Sequence, residues 1–106
     1  MAYMGKQDRE DADTSEYMLR LFITGSTPNS IRAVSNIRQI CETYLKGRYS
    51  LEIIDVYQEP GLAQQEQIVA LPLLIKKRPL PQRKLIGDLS EVDKILKILD
   101  VNKDNG

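Results

Sequence analysis

Five basic side chains in the second half of the chain form the densest group of charges in the sequence. They lie within nine residues that contain no acid: Lys76, Lys77, Arg78, Arg83 and Lys84. Clustered ammonium and guanidinium groups bind phosphates or acidic protein surfaces, but no aromatic side chain lies within the cluster to stack on bases. A solvated hairpin and a dock for an acidic protein surface are therefore the main interpretations, and no nucleic-acid partner is expected.

Residue types that serve most catalytic and metal sites are scarce in this sequence. The chain has no histidine, which excludes imidazole bases, Ser-His and Cys-His pairs, and histidine metal ligands. Its one cysteine, Cys41, can form neither an internal disulfide nor a dithiol couple. It lies on the apolar stripe of a predicted helix, so we interpret it as an inert core thiol. The sequence therefore predicts a protein that is not an enzyme and holds no metal or cofactor.

Apolar spacing predicts the elements that carry these residues. A nearly continuous apolar run at 17–24 predicts a buried strand, and Thr27 before Pro28 predicts the start of a helix that continues to Gly47. A strand at 49–57 completes a βαβ unit with parallel strands. The second half is predicted to contain a short helix at 60–69, strands at 71–75 and 84–87 with Pro79 and Pro81 between them, and a final helix capped by Ser90 with Asp93 in the capping-box position.

The resulting order, βαβαββα, is that of a thioredoxin-like α/β domain. In thioredoxin-like oxidoreductases the loop after the first strand carries two cysteines at a helix N-terminus, where the helix dipole favours a thiolate. The corresponding loop here, residues 25–30, contains no sulfur, which excludes disulfide exchange. Its N–H groups could bind an anion, although its glycines match no phosphate-binding fingerprint.

Charge divides the chain into a tail and a domain. Residues 1–16 hold five acids and two bases without an apolar period, which predicts a disordered acidic tail. Residues 17–101 hold 12 bases and nine acids and form the predicted domain, while residues 102–106 are expected to be frayed. The sequence has no signal-peptide pattern and no run of about 18 apolar residues. We therefore expect a cytoplasmic protein without a membrane span.

Six short fragments between residues 17 and 101 form a specific combined signal. They are Gly25-Ser26-Thr27-Pro28-Asn29-Ser30 followed by Arg32-Ala33, then Ile54-Asp55-Val56, Pro60 with Leu62-Ala63, Ile68-Val69-Ala70 before Pro72, and Leu85-Ile86-Gly87-Asp88-Leu89-Ser90. In this order and spacing they resemble the KaiB family of bacterial circadian clock proteins.

The resemblance implies a non-catalytic circadian clock or clock-like regulator. KaiB proteins bind the KaiC ATPase hexamer, modulate its phosphorylation cycle and recruit KaiA, and SasA-type kinases carry a related domain. The family is also metamorphic: its resting homotetramer has the arrangement βαββααβ, and its KaiC-binding form has the thioredoxin-like order. The acidic N-terminal extension is unlike the clock version, which leaves a second hypothesis, a divergent thioredoxin-like adaptor in stress adaptation that does not bind KaiC.

Carried over by position, the resemblance assigns partner binding to Arg32, Lys76, Arg83 and Lys84. The assignment agrees with the separate interpretation of the basic cluster as a dock for an acidic surface. The segment expected to rearrange has weak periodicity and is marked by Pro60, Pro72, Pro79, Pro81, Gly87, Asp88 and Asp100. Two departures fall within it: Leu80 interrupts three family prolines, and Ile98 stands where the family has a glycine, which favours helix there by about half a kcal/mol or more.

Overall fold

The computed structural model describes residues 15–66, 68 and 70–101. Its elements follow in the order β1 (Tyr17–Ile23), α1 (Pro28–Tyr44), β2 (Tyr49–Asp55), α2 (Pro60–Gln65), β3 (Leu73–Arg78), β4 (Arg83–Ile86) and α3 (Val92–Leu99). This is the order βαβαββα, so the predicted thioredoxin-like class is confirmed. Most of the predicted tail, residues 1–14, and the end at 102–106 lie outside the described residues.

The four strands form one sheet in the order β2-β1-β3-β4. β1 pairs in parallel with β2, from Tyr17 opposite Tyr49 to Ile23 opposite Asp55. β3 runs antiparallel to both β1 and β4. β1 is therefore a central strand, while β2 and β4 are the outer strands.

Both faces of the sheet are covered by apolar side chains. The larger cluster joins the sheet to α1 and α3 and includes Leu21, Ile37, Leu74 and Ile95, all fully buried. The smaller cluster lies on the opposite face and contains Phe22, Ile54, Leu73 and Ile75, with Leu62 of α2 packed against it. Each such side chain contributes about 1.5–3 kcal/mol relative to an exposed one. Burial on both faces explains the nearly continuous apolar run of β1.

The start of α1 confirms the predicted cap. Thr27 Oγ1 accepts a hydrogen bond from the Ser30 backbone N–H at 3.3 Å, and Pro28 occupies the first helical turn. Ser30 is itself buried, and its hydroxyl oxygen accepts from the Thr24 N–H at 3.0 Å and from the Thr27 hydroxyl at 2.8 Å. These bonds fix the loop between β1 and α1.

Several predicted boundaries in the second half are corrected by the structure. α2 ends at Gln65 rather than at residue 69, and β3 covers Leu73–Arg78 rather than 71–75. The basic run that opens the cluster therefore belongs to a strand. Ser90 does not cap α3: the cap residue is Glu91, and the Ser90 N–H donates to Asp88 Oδ1 at 3.1 Å. An aspartate two residues earlier has taken the local hydrogen bond that the capping box requires.

Candidate partner-binding surface

β4 and the turn before it present an exposed basic surface, here called the hairpin surface and defined by Leu80, Arg83, Lys84 and Ile86. Leu80 is 78% exposed and Ile86 is 53% exposed, and both bases are exposed. Successive side chains of a strand point to opposite faces, so the two bases project from opposite faces of one outer strand. A partner that approaches the edge of the sheet can contact both.

Arg83 and Lys84 form no ion pair within the part of the chain that the structure describes. Their neighbours in the cluster have contacts of their own. Lys77 Nζ donates to Glu66 Oε2 at 2.6 Å, and an Arg78 guanidinium nitrogen donates to the Met18 sulfur at 2.7 Å. The charge that is available to a partner is therefore concentrated on β4.

Glu66 holds together three elements although no pattern in the sequence marks it. It follows α2, its side chain is 14% exposed, and it contacts Lys77 and, at 3.5 Å, Arg20 Nη1. Glu66 thus ties the end of α2 to β1 and β3. The pairs span 46 and 11 residues of sequence and match no helical or cross-strand spacing, so only the fold could reveal them.

The structure corrects one member of the predicted partner-binding set, Lys76. Its side chain is 0% exposed, and its Nζ has no hydrogen-bond partner among the described residues. Lys76 lies two residues after Leu74 on β3 and therefore faces the same side of the sheet, towards the larger apolar cluster. A side chain that does not reach solvent cannot contact a partner in this fold. Because residues 76–78 are all basic, the sequence does not show the alternation of buried and exposed side chains along β3.

The end of α3 supplies partial compensation for the buried ammonium. Asp100 is the C-cap residue of α3, with φ at +58°, and its Oδ2 lies 3.8 Å from Lys76 Nζ. A helix C-terminus and a carboxylate both favour a nearby cation. The Asp100 side chain is 62% exposed, however, and solvent weakens its attraction for the ammonium. Lys76 is therefore a buried charge without full compensation.

Arg32 and Asp88 meet where the chain passes from β4 to α3, which we call the corner. Arg32 Nε donates to Asp88 Oδ2 at 3.3 Å, and another Arg32 nitrogen donates to Asn29 Oδ1. The Asp88 carbonyl oxygen accepts from Asn36 Nδ2 at 2.8 Å. Arg32 and Asn36 of α1 thus hold the corner in place. The Arg32 side chain is still 55% exposed, which leaves part of the guanidinium open to a partner.

Two residues of the corner have positive φ angles, which are unfavourable for residues other than glycine. Gly87 has φ at +129° and Leu89 has φ at +63°, on either side of Asp88. Leu89 is only 4% exposed and packs in the larger apolar cluster. Burial of Leu89 and the hydrogen bonds of Asp88 together offset the unfavourable backbone conformation.

Asp88→Asn is expected to reduce the loss of stability in acid. Hydrogen bonds from Ser90, followed by those from Arg32, hold the pKa of Asp88 below its ordinary value of about 3.9. A carboxyl group with a lower pKa in the folded state stabilises above its unfolded pKa, and this contribution disappears as the pH falls through the folded pKa. Urea unfolding between about pH 2.5 and 7 should give a flatter acid limb for the variant. Identical pH profiles of the two proteins would contradict this role for Asp88.

The position that holds a dithiol in thioredoxins carries no reactive group here. The loop at residues 25–30 is closed by the Ser30 bonds, and the Gly25 N–H donates to Asp55 Oδ1 at 3.2 Å, so the protein's own carboxylate already uses one loop donor.

The one cysteine lies elsewhere, in α1. Burial raises the pKa of the Cys41 thiol to about 12. Cys41 is fully buried, which confirms the prediction that it lies in the core.

Two kinds of feature are absent from the described ranges. No group of three or more aspartate, glutamate or cysteine side chains in residues 15–66, 68 and 70–101 could hold a metal ion. In the same ranges, no helix combines the length and apolarity needed to cross a bilayer.

Sequence comparison identifies relatives over most of the chain. Residues 20–101 match the KaiB domain. The circadian clock oscillator protein KaiB of a Picosynechococcus species is 49% identical over 85 residues, which cover 80% of this chain and 82% of that protein. The KaiB protein of Synechococcus elongatus is 46% identical over the same length, covering 80% and 83% of the two chains.

Solved structures support the same architecture. The N-terminal domain of SasA from Synechococcus elongatus superimposes with a TM-score of 0.66 at 23% identity, covering 81% of this chain and 85% of that domain. The thioredoxin Deadhead from a fruit fly gives a TM-score of 0.70 at 14% identity, with 94% and 97% coverage. At these identities the likeness concerns the thioredoxin-like fold alone.

Proposed function

This chain belongs to the KaiB family of circadian clock proteins, and from that premise we propose that it is a non-catalytic cytoplasmic regulator that binds a KaiC-type ATPase hexamer. By binding, it modulates the phosphorylation cycle of the hexamer, in a system that includes KaiA or a SasA-type kinase. The observation that carries the proposal is the hairpin surface, where Arg83 and Lys84 are exposed and unpaired within the described residues. Such charges steer association with an acidic surface and fix its orientation.

The other two predicted partner-binding residues contribute differently. Arg32 is part of the proposed binding surface, because its exposed guanidinium is already oriented by Asp88 and Asn29. A side chain held in one geometry loses less entropy on binding. Lys76 is not part of that surface, because its side chain is fully buried. We assign it a role in shaping the hairpin from within.

We also propose that the second half of the chain rearranges, from a βαββααβ homotetramer to the fold described above. Three features of this half support the proposal: α2 and β4 contain no buried residue, Lys76 is a poorly compensated buried charge, and Leu89 has a positive φ. Elements with little burial and stored strain have low local stability. The rearranging residues are Pro60, Pro72, Pro79, Pro81, Gly87, Asp88 and Asp100. Real-time NMR with and without the hexamer tests this, and one unchanging set of resonances would contradict it.

The stress-adaptation adaptor is not favoured as an alternative. Curated relatives that are 46–49% identical to this chain are circadian clock oscillator proteins. A KaiC-type partner is therefore the first one to test.

Charge reversal of the hairpin surface is the direct test. The double variant Arg83→Glu/Lys84→Glu is expected to bind the KaiC-type hexamer of the same organism, with ATP present, at least about tenfold more weakly than the unmodified chain. The affinity of the variant should also depend less on salt, because two attractive charges are lost. Light scattering coupled to size exclusion measures the complex, and biolayer interferometry measures the affinity.

A matched control variant separates the effect of the binding site on affinity from the effect of net charge. Arg38→Glu/Lys46→Glu makes the same change of charge at exposed residues of α1 and the turn that follows it. This control should bind as the unmodified chain does. Equal loss in both double variants would assign the effect to net charge and refute the hairpin surface as the binding site.

A further inference from the structure

We propose that the N-terminal segment, residues 1–14, docks on the hairpin surface and competes there with an acidic partner. The docking is a property of this chain alone, whereas the competition rests on the function proposed above. The segment is thus an intramolecular occupant of the same basic surface.

The N-terminal segment and the hairpin surface carry opposite net charges. The N-terminal segment contains two bases and four acids, which are Asp8, Glu10, Asp11 and Asp13. The hairpin surface carries two bases that no described carboxylate neutralises. A segment of opposite charge that is covalently attached is present at an effective concentration of the order of millimolar, before any partner arrives.

The N-terminal segment joins the fold at the end of the sheet where β4 begins. β1 begins at Tyr17, and Met18 lies opposite Arg78 at the end of β3, while Lys76 lies opposite Arg83 at the start of β4. The starts of β1 and β4 therefore share one end of the sheet. With neighbouring strands about 4.8 Å apart, β4 lies roughly 10 Å from β1.

The length of the segment matches this distance. Asp13 precedes Tyr17 by four residues and Glu10 precedes it by seven, so extended chain carries these acids up to about 13–23 Å from the start of β1. The hairpin surface lies within that reach. The acids are thus spaced to meet the bases without strain in the connecting residues.

Glu16 shows how acids in this part of the chain already behave. Its carboxylate accepts two hydrogen bonds from Arg48, at 3.0 and 2.8 Å, at the β2 side of the same sheet end. Arg48 in turn lies over the Tyr17 ring, with its Cζ 5.5 Å from the ring centroid. Since Glu16 neutralises Arg48, the N-terminal segment is expected to meet the β4 bases, Arg83 and Lys84, which no described carboxylate pairs.

Paramagnetic relaxation enhancement on the full chain tests the docking without any partner. A nitroxide on Gln7→Cys labels one site, because the Cys41 thiol is buried and its pKa of about 12 keeps it unreactive near neutral pH. We expect the label to broaden the amide resonances of Arg83–Ile86. The broadening should disappear in the variant Asp8→Asn/Glu10→Gln/Asp11→Asn/Asp13→Asn and at about 0.5 M salt, where the Debye length falls to about 4 Å.

Other outcomes of this experiment overturn the docking. Broadening centred on Lys46 and Gly47 would place the segment at the opposite edge of the sheet. Broadening of the β4 amides that persists after neutralisation of the four acids would show contact without charge complementarity.

A binding measurement tests the competition separately. The neutralised variant should bind the KaiC-type hexamer about three- to tenfold more tightly than the unmodified chain, since the competing segment no longer occupies the surface. Equal affinities overturn the competition even where docking is observed. If neither protein binds the hexamer, the proposed function and the competition both fail, while the docking is still decided by the relaxation data.

Discussion

Lys76→Ala is expected to lower the free energy of unfolding by about 2–4 kcal/mol, whereas Lys76→Met should change it by less than about 1 kcal/mol. Alanine removes a long buried aliphatic stem and leaves a cavity between β3 and α3. Methionine fills most of that space and removes an ammonium whose Nζ has no hydrogen-bond partner among the described residues. Urea unfolding followed by circular dichroism measures both changes.

The exposed lysine Lys46 provides the control for this pair. Lys46→Ala should change stability by no more than about 0.5 kcal/mol. If Lys76→Met destabilises as strongly as Lys76→Ala, the ammonium stabilises the fold through Asp100 and the account of an incompletely compensated charge is wrong. The methionine variant should also retain its affinity for the hexamer, because Lys76 lies beneath the surface.

Gly87→Ala is expected to destabilise the fold by about 1–3 kcal/mol. A Cβ at this position meets no atom within 4 Å, so the penalty comes from the backbone angle of +129° rather than from a clash. The strain falls on the corner, where Arg32 and Asn36 hold Asp88. The same urea unfolding measures it.

Gly61→Ala is the matched substitution with the opposite expected sign. A Cβ there also meets nothing within 4 Å, but Gly61 lies in α2 and no positive φ is required. Alanine restricts the unfolded chain and should stabilise by about 0.4–1 kcal/mol. Destabilisation of similar size at both positions would show that the effect at Gly87 is not one of backbone conformation.

The first half of the fold could be predicted from the sequence because its local signals agree with one another. Thr27, Pro28 and the apolar stripe of α1 each indicate the same helix, and the apolar and β-branched residues of β1 and β2 indicate strands. In the second half the local signals are weak or misleading. Three consecutive bases at 76–78 gave no period of two, and so Lys76 could not be distinguished from its exposed neighbours.

The candidate site was only partly predictable for a related reason. The exposure of Arg83 and Lys84 agrees with their charge, but the same rule fails for Lys76. The contact of Arg32 with Asp88 spans 56 residues, and no spacing rule connects them. Likewise, Ser90 had the sequence pattern of a cap, but Asp88 bonds its N–H and the helix begins one residue later. Such choices depend on tertiary contacts that compete with local preference.

The central position of β1 has a consequence for synthesis on the ribosome. β1 can pair with β2 as soon as residue 55 is free, but its other edge is covered only when β3 is complete at residue 78. At about 5–20 residues per second, the nascent chain carries an open strand edge for roughly 1–5 s. An unpaired edge is a template for pairing with other chains. We therefore expect translational pauses between these two points to increase co-translational aggregation, and pauses after residue 78 to have little effect.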